Sequence, residues 1–245
     1  MVLLMGIGVM SKKIIALVPA AGIGARAKRQ TTAALLKPDL PKQYELVNGL
    51  PMLRLSVMAM LADPRIDYVR VIVSPTDTWV NDALAGLERT SWHPVGGATR
   101  AETVRNGLRE LALSNDHWVA VHDAARPGLP ASALARLIDT CLDHDQGGLL
   151  ALPVPDTVKK STEDGLNQVE KTVPRDNLWL AQTPQMYKAD QLLQALEQAE
   201  QEQWLVTDES SAMEQAGYRS LLVLGAPQNF KVTWPGDFQI LEKWL

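Results

Sequence analysis

The stretch Ile14-Ile15-Ala16-Leu17-Val18-Pro19-Ala20-Ala21-Gly22-Ile23-Gly24-Ala25-Arg26 decides the fold. Its first five residues are all apolar and lack the alternation of a half-exposed strand. Such a short run reads as a strand buried on both faces. Pro19 and Gly22 punctuate its end. The small residues that follow let a ligand approach the backbone closely, and successive N–H groups there can form an anion nest. Arg26 adds a planar fork of donors suited to phosphate.

Outward from this stretch, buried strands are predicted at 68–73, 118–121, 149–154 and 221–224. Helical spacing marks 51–61, 77–87, 100–113, 131–142, 189–202, 209–216 and 235–245. Residues 30–39 have weak periodicity and flanking prolines, and read as a loop. Residues 157–173 alternate polar and apolar side chains around Glu163-Asp164-Gly165, a hairpin signal. Strands alternating with helices imply a mostly parallel sheet covered on both faces. The expectation is one α/β, Rossmann-like domain over 13–245, with a protruding β-hairpin arm at 157–173. Residues 1–12 are read as a leader outside it. Ligands of such sheets bind beyond the carboxyl ends of strands. The segments after Val18, Val73, Val121 and Val154 are therefore where a site is expected.

Composition narrows the function classes. A chain of 245 residues can bury a core without staples, and 46% hydrophobic with 21% charged residues argues against disorder. The net charge of −4 offers no basic footprint for nucleic acid, so an anion site must be a local cluster of cations. No apolar run is long enough to span a bilayer, and Lys12 and Lys13 follow the apolar start where a signal peptide would have them precede it. The single cysteine, Cys141, forbids an internal disulfide and fits a reducing cytoplasm.

The site candidates start with the loop 19–26. Gly22-x-Gly24 after a strand would also suit a nicotinamide-dependent dehydrogenase. The third glycine is replaced by Ala27, and the acid expected about 20 residues on is missing. The next element is Pro41-Lys42-Gln43-Tyr44, and Lys42 gains meaning from its pairing with the glycine-and-arginine loop. Asp123 follows the predicted third strand and so stands at the ligand edge, where its ordinary role would be a turn cap. His122 reads as a packed neighbour.

These motifs recur in a fixed order. They are PAAGIGAR at 19–26, PKQY at 41–44, GGATRAETV at 96–104 and VHDAARP at 121–127. DTVK at 156–159, TPQ at 183–185, TDE at 207–209 and NFKVT at 229–233 follow. The ordered set resembles the 2-C-methyl-D-erythritol 4-phosphate cytidylyltransferase family of nucleotidyltransferases, from Ile14 to Leu245. The resemblance implies transfer of CMP from CTP to a small phosphorylated polyol, with release of pyrophosphate. Attack by a phosphate oxygen on the α-phosphorus needs charge neutralisation and alignment more than proton transfer. That chemistry accounts for cationic candidates and for the lack of a Ser/His/Asp set.

The resemblance assigns Arg26, Lys42 and Lys231 to the phosphates, with Asp123 beside the acceptor and near a Mg²⁺ ion or another divalent cation. Asp123 as a direct metal ligand, alone or shared with Asn229, is the least specific of these assignments. CTP is assigned to Ala20, Ala21, Gly22, Gly24, Gly97, Ala98, Arg100, Thr103 and Ala124, with Arg100 either structural or facing the phosphates. The acceptor is assigned to Arg126, Thr157, Arg175, Thr183 and Thr207. The resemblance implies a homodimer in which the arm carries Arg175 to the neighbour's site. Three departures stand out. The segment near 28–40 is longer than usual and is either a flap over CTP or plain surface. Ala98 replaces a common acidic residue, and Thr103 a common serine. A sibling enzyme acting on ribitol 5-phosphate is the nearest rival.

Overall fold

The computed structural model describes residues 13–22, 40–111, 117–163 and 165–245. The leader at 1–12, Gly24, Arg26 and nearly all of the 28–40 segment lie outside the described residues.

The strands are β1 (Ile14–Pro19), β2 (Leu46–Val47), β3 (Leu50–Pro51), β4 (Ile66–Ile72), β5 (Thr90–His93) and β6 (Trp118–Val121). β7 (Gly148–Pro153), β8 (Val158–Ser161), β9 (Val169–Val173), β10 (Trp179–Lys188) and β11 (Leu221–Leu224) follow. The described helices are α1 (Met52–Leu61), α2 (Val80–Leu84), α3 (Arg100–Leu111), α4 (Ala131–Asp143), α5 (Ala189–Gln201), α6 (Glu209–Gln215) and α7 (Asp237–Trp244). Seven strands form one sheet in the order β11-β7-β10-β6-β1-β4-β5. β1 is parallel to both neighbours, β4 and β6. β10 alone runs antiparallel, pairing with β6 and β7. The mostly parallel α/β sheet expected from the sequence is the observed one.

Burial explains why β1 carries no polar alternation. Ile14, Ala16 and Val18 pack on one face with Leu53 and Val57 of α1 and Leu134 and Leu137 of α4. Leu17 points the other way, into Val104 and Leu108 of α3 and Leu192 of α5. A strand with a helix layer on each face has no solvent side to make polar.

One predicted helix is shorter than expected, and two strands are present that the sequence reading did not place. The helix expected at 77–87 shrinks to α2, because Asp77 Oδ1 accepts the Trp79 and Val80 N–H groups at 2.9 and 3.0 Å and caps the turn there. Gly86, at φ +74°, ends the segment in a conformation that favours glycine. β5 is an edge strand of only four half-buried residues and gave no periodic signal. β10 went unpredicted because Gln182, Thr183, Pro184 and Gln185 interrupt it. Its pairing with β7 is irregular between Ala181 and Gln185, where a proline without an N–H is tolerated. The predicted hairpin is present as β8 paired antiparallel with β9, in a sheet separate from the main one.

The chain folds outward from β1 to β4 and β5, then returns to place β6 on the other side of β1. The crevice at the carboxyl ends of β1 and β6 is thus a topological switch point, the usual ligand place in an open sheet. Helix α3 closes on it because Gly107 lets the helix touch the sheet. A Cβ there would lie 2.7 Å from Ile72 Cγ1 and 3.0 Å from Leu17 Cδ1. We expect Gly107→Val to destabilise the fold by about 2 kcal/mol or more, since overpacking there outweighs the gain in helix propensity. Denaturant unfolding checks this, and a stability equal to wild type would contradict the close contact.

Candidate active site

A cavity of about 230 Å³ opens at this switch point. One wall is the turn after β1. The Ala20 N–H donates to Ile72 O at 2.7 Å, and Ala20 O accepts Gln43 Nε2 at 2.8 Å. The opposite wall is the Gly96–Thr99 turn, tied down by α3. Gly97 N–H donates to Thr103 Oγ1 at 3.1 Å, that hydroxyl donates to Thr99 O at 2.8 Å, and Ala98 N–H donates to Glu102 Oε2 at 2.8 Å. The two walls touch through Gly96, where a Cβ would come within 2.4 Å of Ala21 Cβ. Glycine is required there by close approach alone.

The floor is charged. Asp123, buried at the end of β6, is held by three cations. Arg100 Nε donates to Oδ1 at 2.9 Å, Lys231 Nζ sits 2.9 Å from Oδ2, and Arg126 Nε sits 3.4 Å from Oδ2. Burial favours the neutral acid, but Arg100, Lys231 and Arg126 outweigh it and hold the carboxyl well below the usual range. Arg100 also grips Glu209 with both ends of its fork, at 2.5 and 3.0 Å. Lys42 Nζ donates to Val232 O at 2.6 Å, so the segment carrying Lys231 is tied to the other wall.

Beneath Asp123 lies a relay of hydrogen bonds. Asp123 N–H donates to Thr183 Oγ1, and His122 Nδ1 lies 3.0 Å from that hydroxyl. His122 Nε2 lies 3.0 Å from Arg126 O, which can only accept. A neutral ring with its proton on Nε2 therefore receives the Thr183 hydroxyl proton at Nδ1. Burial pushes the His122 pKa down to about 4, consistent with that neutral form. His122 is the packed neighbour the sequence suggested.

Most of the anticipated residues meet in the cavity. Ala20, Ala21, Gly22, Lys42, Gly97 and Ala98 line it, as do Arg100, Thr103, Asp123, Ala124 and Lys231. Arg126 and Thr183 sit buried beside it, with Arg126 spending its remaining donors on Asn229 O and Ala181 O. Thr157, Arg175 and Thr207 are outside the lining of this cavity. Arg175 donates to Pro155 O at the root of the arm, in a separate depression with Trp179. Thr207 is exposed before α6. Arg26 and Gly24 lie outside the described residues. Sequence reading gave no role to Gln43, which props the Ala20 carbonyl, or to Glu209, which holds Arg100. A glutamate in the first turn of a helix is ordinarily a solvated residue, so nothing local marked Glu209 as buried.

A family model described as IspD: 2-C-methyl-D-erythritol 4-phosphate cytidylyltransferase matches residues 14–245. The chain belongs to that family. It is similar to the 2-C-methyl-D-erythritol 4-phosphate cytidylyltransferase of Bordetella pertussis, at 58% identity over 96% of this chain and 100% of that protein. The relative from Chromobacterium violaceum is 48% identical over 95% of this chain and 97% of its own length. The solved structure of the Francisella tularensis cytidylyltransferase superposes with a TM-score of 0.79 at 33% identity, covering 95% of this chain and 100% of that one. Membership makes the chain a nucleotidyltransferase and sets aside the dehydrogenase reading. Among the described residues no helix is long and apolar enough to cross a membrane.

The buried neutral His122 carries a consequence for stability in this cytidylyltransferase. The unfolded imidazole takes up a proton near pH 6.5 and the folded one near 4, so the unfolded state binds more protons in between. The stability from His122 is complete above about pH 6.5 and falls as pH drops toward about 4, by roughly 3 kcal/mol. We expect melting temperatures measured from pH 7 to 4 to decline less steeply in His122→Gln than in wild type. Parallel declines would contradict a neutral His122.

Proposed function

We propose that the protein transfers CMP from CTP to 2-C-methyl-D-erythritol 4-phosphate, giving 4-diphosphocytidyl-2-C-methyl-D-erythritol and pyrophosphate, as a step of isoprenoid precursor synthesis. One observation carries the proposal: a closely walled cavity whose floor gathers Arg100, Lys231 and Arg126 around the carboxylate of Asp123, with Lys42 on its rim. The curated relatives quoted above carry the name of this activity, which favours methylerythritol phosphate over ribitol 5-phosphate as acceptor.

In the reaction a phosphate oxygen of the acceptor attacks the α-phosphorus of CTP. A P–O bond forms as the bond to the bridging α–β oxygen breaks, and pyrophosphate leaves with the electron pair. The nucleophile is already an anion, so no general base is required, and charge alignment supplies the rate. We assign Lys42, Lys231 and Arg26 to the phosphates. The Ala20–Gly22 and Gly97–Ala98 backbone, with Thr103, takes the cytidine, and Ala124 lies beside it. Asp123 orients the acceptor hydroxyls, with Arg126, Thr157, Thr183 and Thr207 on the acceptor side. Thr183 would have to share its hydroxyl with His122 in that role.

The donor set suits Mg²⁺ held chiefly by phosphate oxygens and water. Among the described residues no three His, Cys, Asp or Glu side chains cluster as a metal site. Asp123 is one carboxylate whose Oδ2 must first be released by Lys231. The buried Asn229 Oδ1 has no hydrogen bond, while its amide nitrogen donates to Gln182 Oε1 and Thr183 O beside this corner of the fold. Bound there, Mg²⁺ would neutralise charge on the departing pyrophosphate.

A homodimer is part of the proposal. Among the described residues the β8–β9 arm pairs only with itself, and an isolated two-stranded hairpin is marginally stable in water. It exposes Leu166 and Val169, while Trp179, Leu222 and Leu224 leave an apolar area on one face of the main sheet. Two arms embracing across a two-fold axis would cover both and deliver Arg175 to the neighbour's acceptor site. The chemistry and the single buried Cys141 fit a cytoplasmic enzyme.

Pyrophosphate release tests the reading directly. CTP with methylerythritol phosphate is expected to exceed UTP, ATP or GTP, and to exceed CTP with ribitol 5-phosphate. Equal use of UTP or of ribitol 5-phosphate would overturn the substrate assignment. Lys42→Ala is expected to lower turnover at least a hundredfold in a folded protein, about 3 kcal/mol of lost charge stabilisation. For the shared site, Lys42→Ala and Arg175→Ala subunits are mixed. Random exchange places both lesions in one site of each heterodimer and restores up to about a quarter of wild-type activity. No recovery after verified exchange would return Arg175 to its own subunit.

A further inference from the structure

We propose that Glu209 is a positioning residue of the transfer reaction: by clamping Arg100 it fixes the Asp123 carboxylate and leaves Lys231 as that carboxylate's exchangeable partner. The proposal rests on the transferase reading given above.

Glu209 is only 1% exposed, and both its oxygens are on Arg100. Arg100 is thereby the centre of a carboxylate–guanidinium–carboxylate bridge. It joins the start of α3, the end of β6 and the start of α6. Holding a second buried carboxylate beside an anion-binding cavity is electrostatically unfavourable, and buried ion pairs seldom add net stability. Helix α6 does not need it for capping: Asp208 already accepts Ser211 N–H at 2.9 Å in a capping box. Its buried face is held by Ala212 and Met213. The bridge is better explained by geometry than by stability.

That geometry limits what each cation can do. The Arg100 fork is committed on three of its edges, with Nε on Asp123 and the two terminal nitrogens on Glu209. It cannot turn to a phosphate without breaking the bridge. Arg126 is equally committed, to Asp123, Asn229 O and Ala181 O, and its side chain is 11% exposed. The Lys231 side chain is 43% exposed and reaches Oδ2 as a flexible point charge. When an anionic substrate arrives, Lys231 is the cation that can move to it while Asp123 keeps its place. The cluster sets three cations against two carboxylates. Loss of the Glu209 charge would raise its attraction for a triphosphate while freeing Arg100 to hold that triphosphate in an unproductive geometry.

The bridge therefore predicts a split that plain structural support would not. In Glu209→Gln, CTP affinity measured by calorimetry is expected to stay equal to wild type or to tighten. Its kcat is expected to fall at least tenfold, with the circular dichroism spectrum unchanged. Glu209→Asp keeps the charge but shortens the reach, and kcat is expected to fall less. Arg100→Gln and Glu209→Gln combined are expected to cost no more than the worse single change, since they break one bridge. A folded Glu209→Gln with kcat within twofold of wild type would overturn the proposal. So would CTP affinity falling in step with kcat, or loss of fold in both Glu209 variants. If the wild-type protein releases no pyrophosphate from CTP with any acceptor, the transferase reading fails instead. The calorimetric comparison of Glu209→Gln with wild type then still decides whether Glu209 restrains Arg100, with weaker binding in the variant counting against it.

Discussion

The desolvated carboxylate of Asp123 is the constraint around which the rest of the molecule is arranged. A buried charge is tolerable only when it is paired and its remaining lone pairs are satisfied. Asp123 meets that requirement with groups from α3, from its own turn and from the segment before α7. Each partner is in turn committed elsewhere: Arg100 to α6, Arg126 to Ala181 of β10 and to the 227–229 turn, Lys231 to a segment tied to Lys42. Elements distant in sequence are thus bound to one point by charge, whereas the sheet behind them is bound by apolar packing.

The division between these two kinds of cohesion explains the chemistry proposed. The apolar layers around β1 need only hydrophobic side chains of suitable size. The charged corner needs particular residues in particular directions, because an unpaired member is costly. A pocket of preorganised cations needs little reorganisation as charge moves from the α-phosphorus to the leaving pyrophosphate. The Gly96–Ala21 contact plays the matching role for the nucleotide: two turns in van der Waals contact leave little room between them for adjustment.

The parts of the fold open to reading were those with a single period. β1, β6 and β7 are continuous apolar runs, and α3, α4 and α5 have apolar stripes at helical spacing, so sequence alone located them. β10 was hidden because its central residues serve polar contacts: Gln182 to Ala226 and Asn229, Thr183 to His122, Gln185 to Asp208 and Ser210. A strand that carries a polar network does not look like a strand. In the site, the backbone loops and most cations were legible from glycine spacing and from the ordered motifs. The pairing of Arg100 with Glu209 was not, because 109 positions separate them and each alone resembles a solvated helix residue.

The antiparallel placement of β10 also has a bearing on how the chain is made. β6 is bordered by β1 on one side and by β10 on the other. While the chain is being synthesised, the backbone of β6, whose side chains are all apolar, lacks a partner on one edge until residues 185–188 are available. During that interval Trp118–Val121 offers an unpaired backbone edge flanked by apolar side chains, the kind of edge on which incomplete sheets associate. The sheet gains its last central strand late, and the charged floor of the cavity later still, when Lys231 arrives. The binding crevice can therefore be complete only once nearly the whole chain is available, because its lining runs from Pro19 to Lys231.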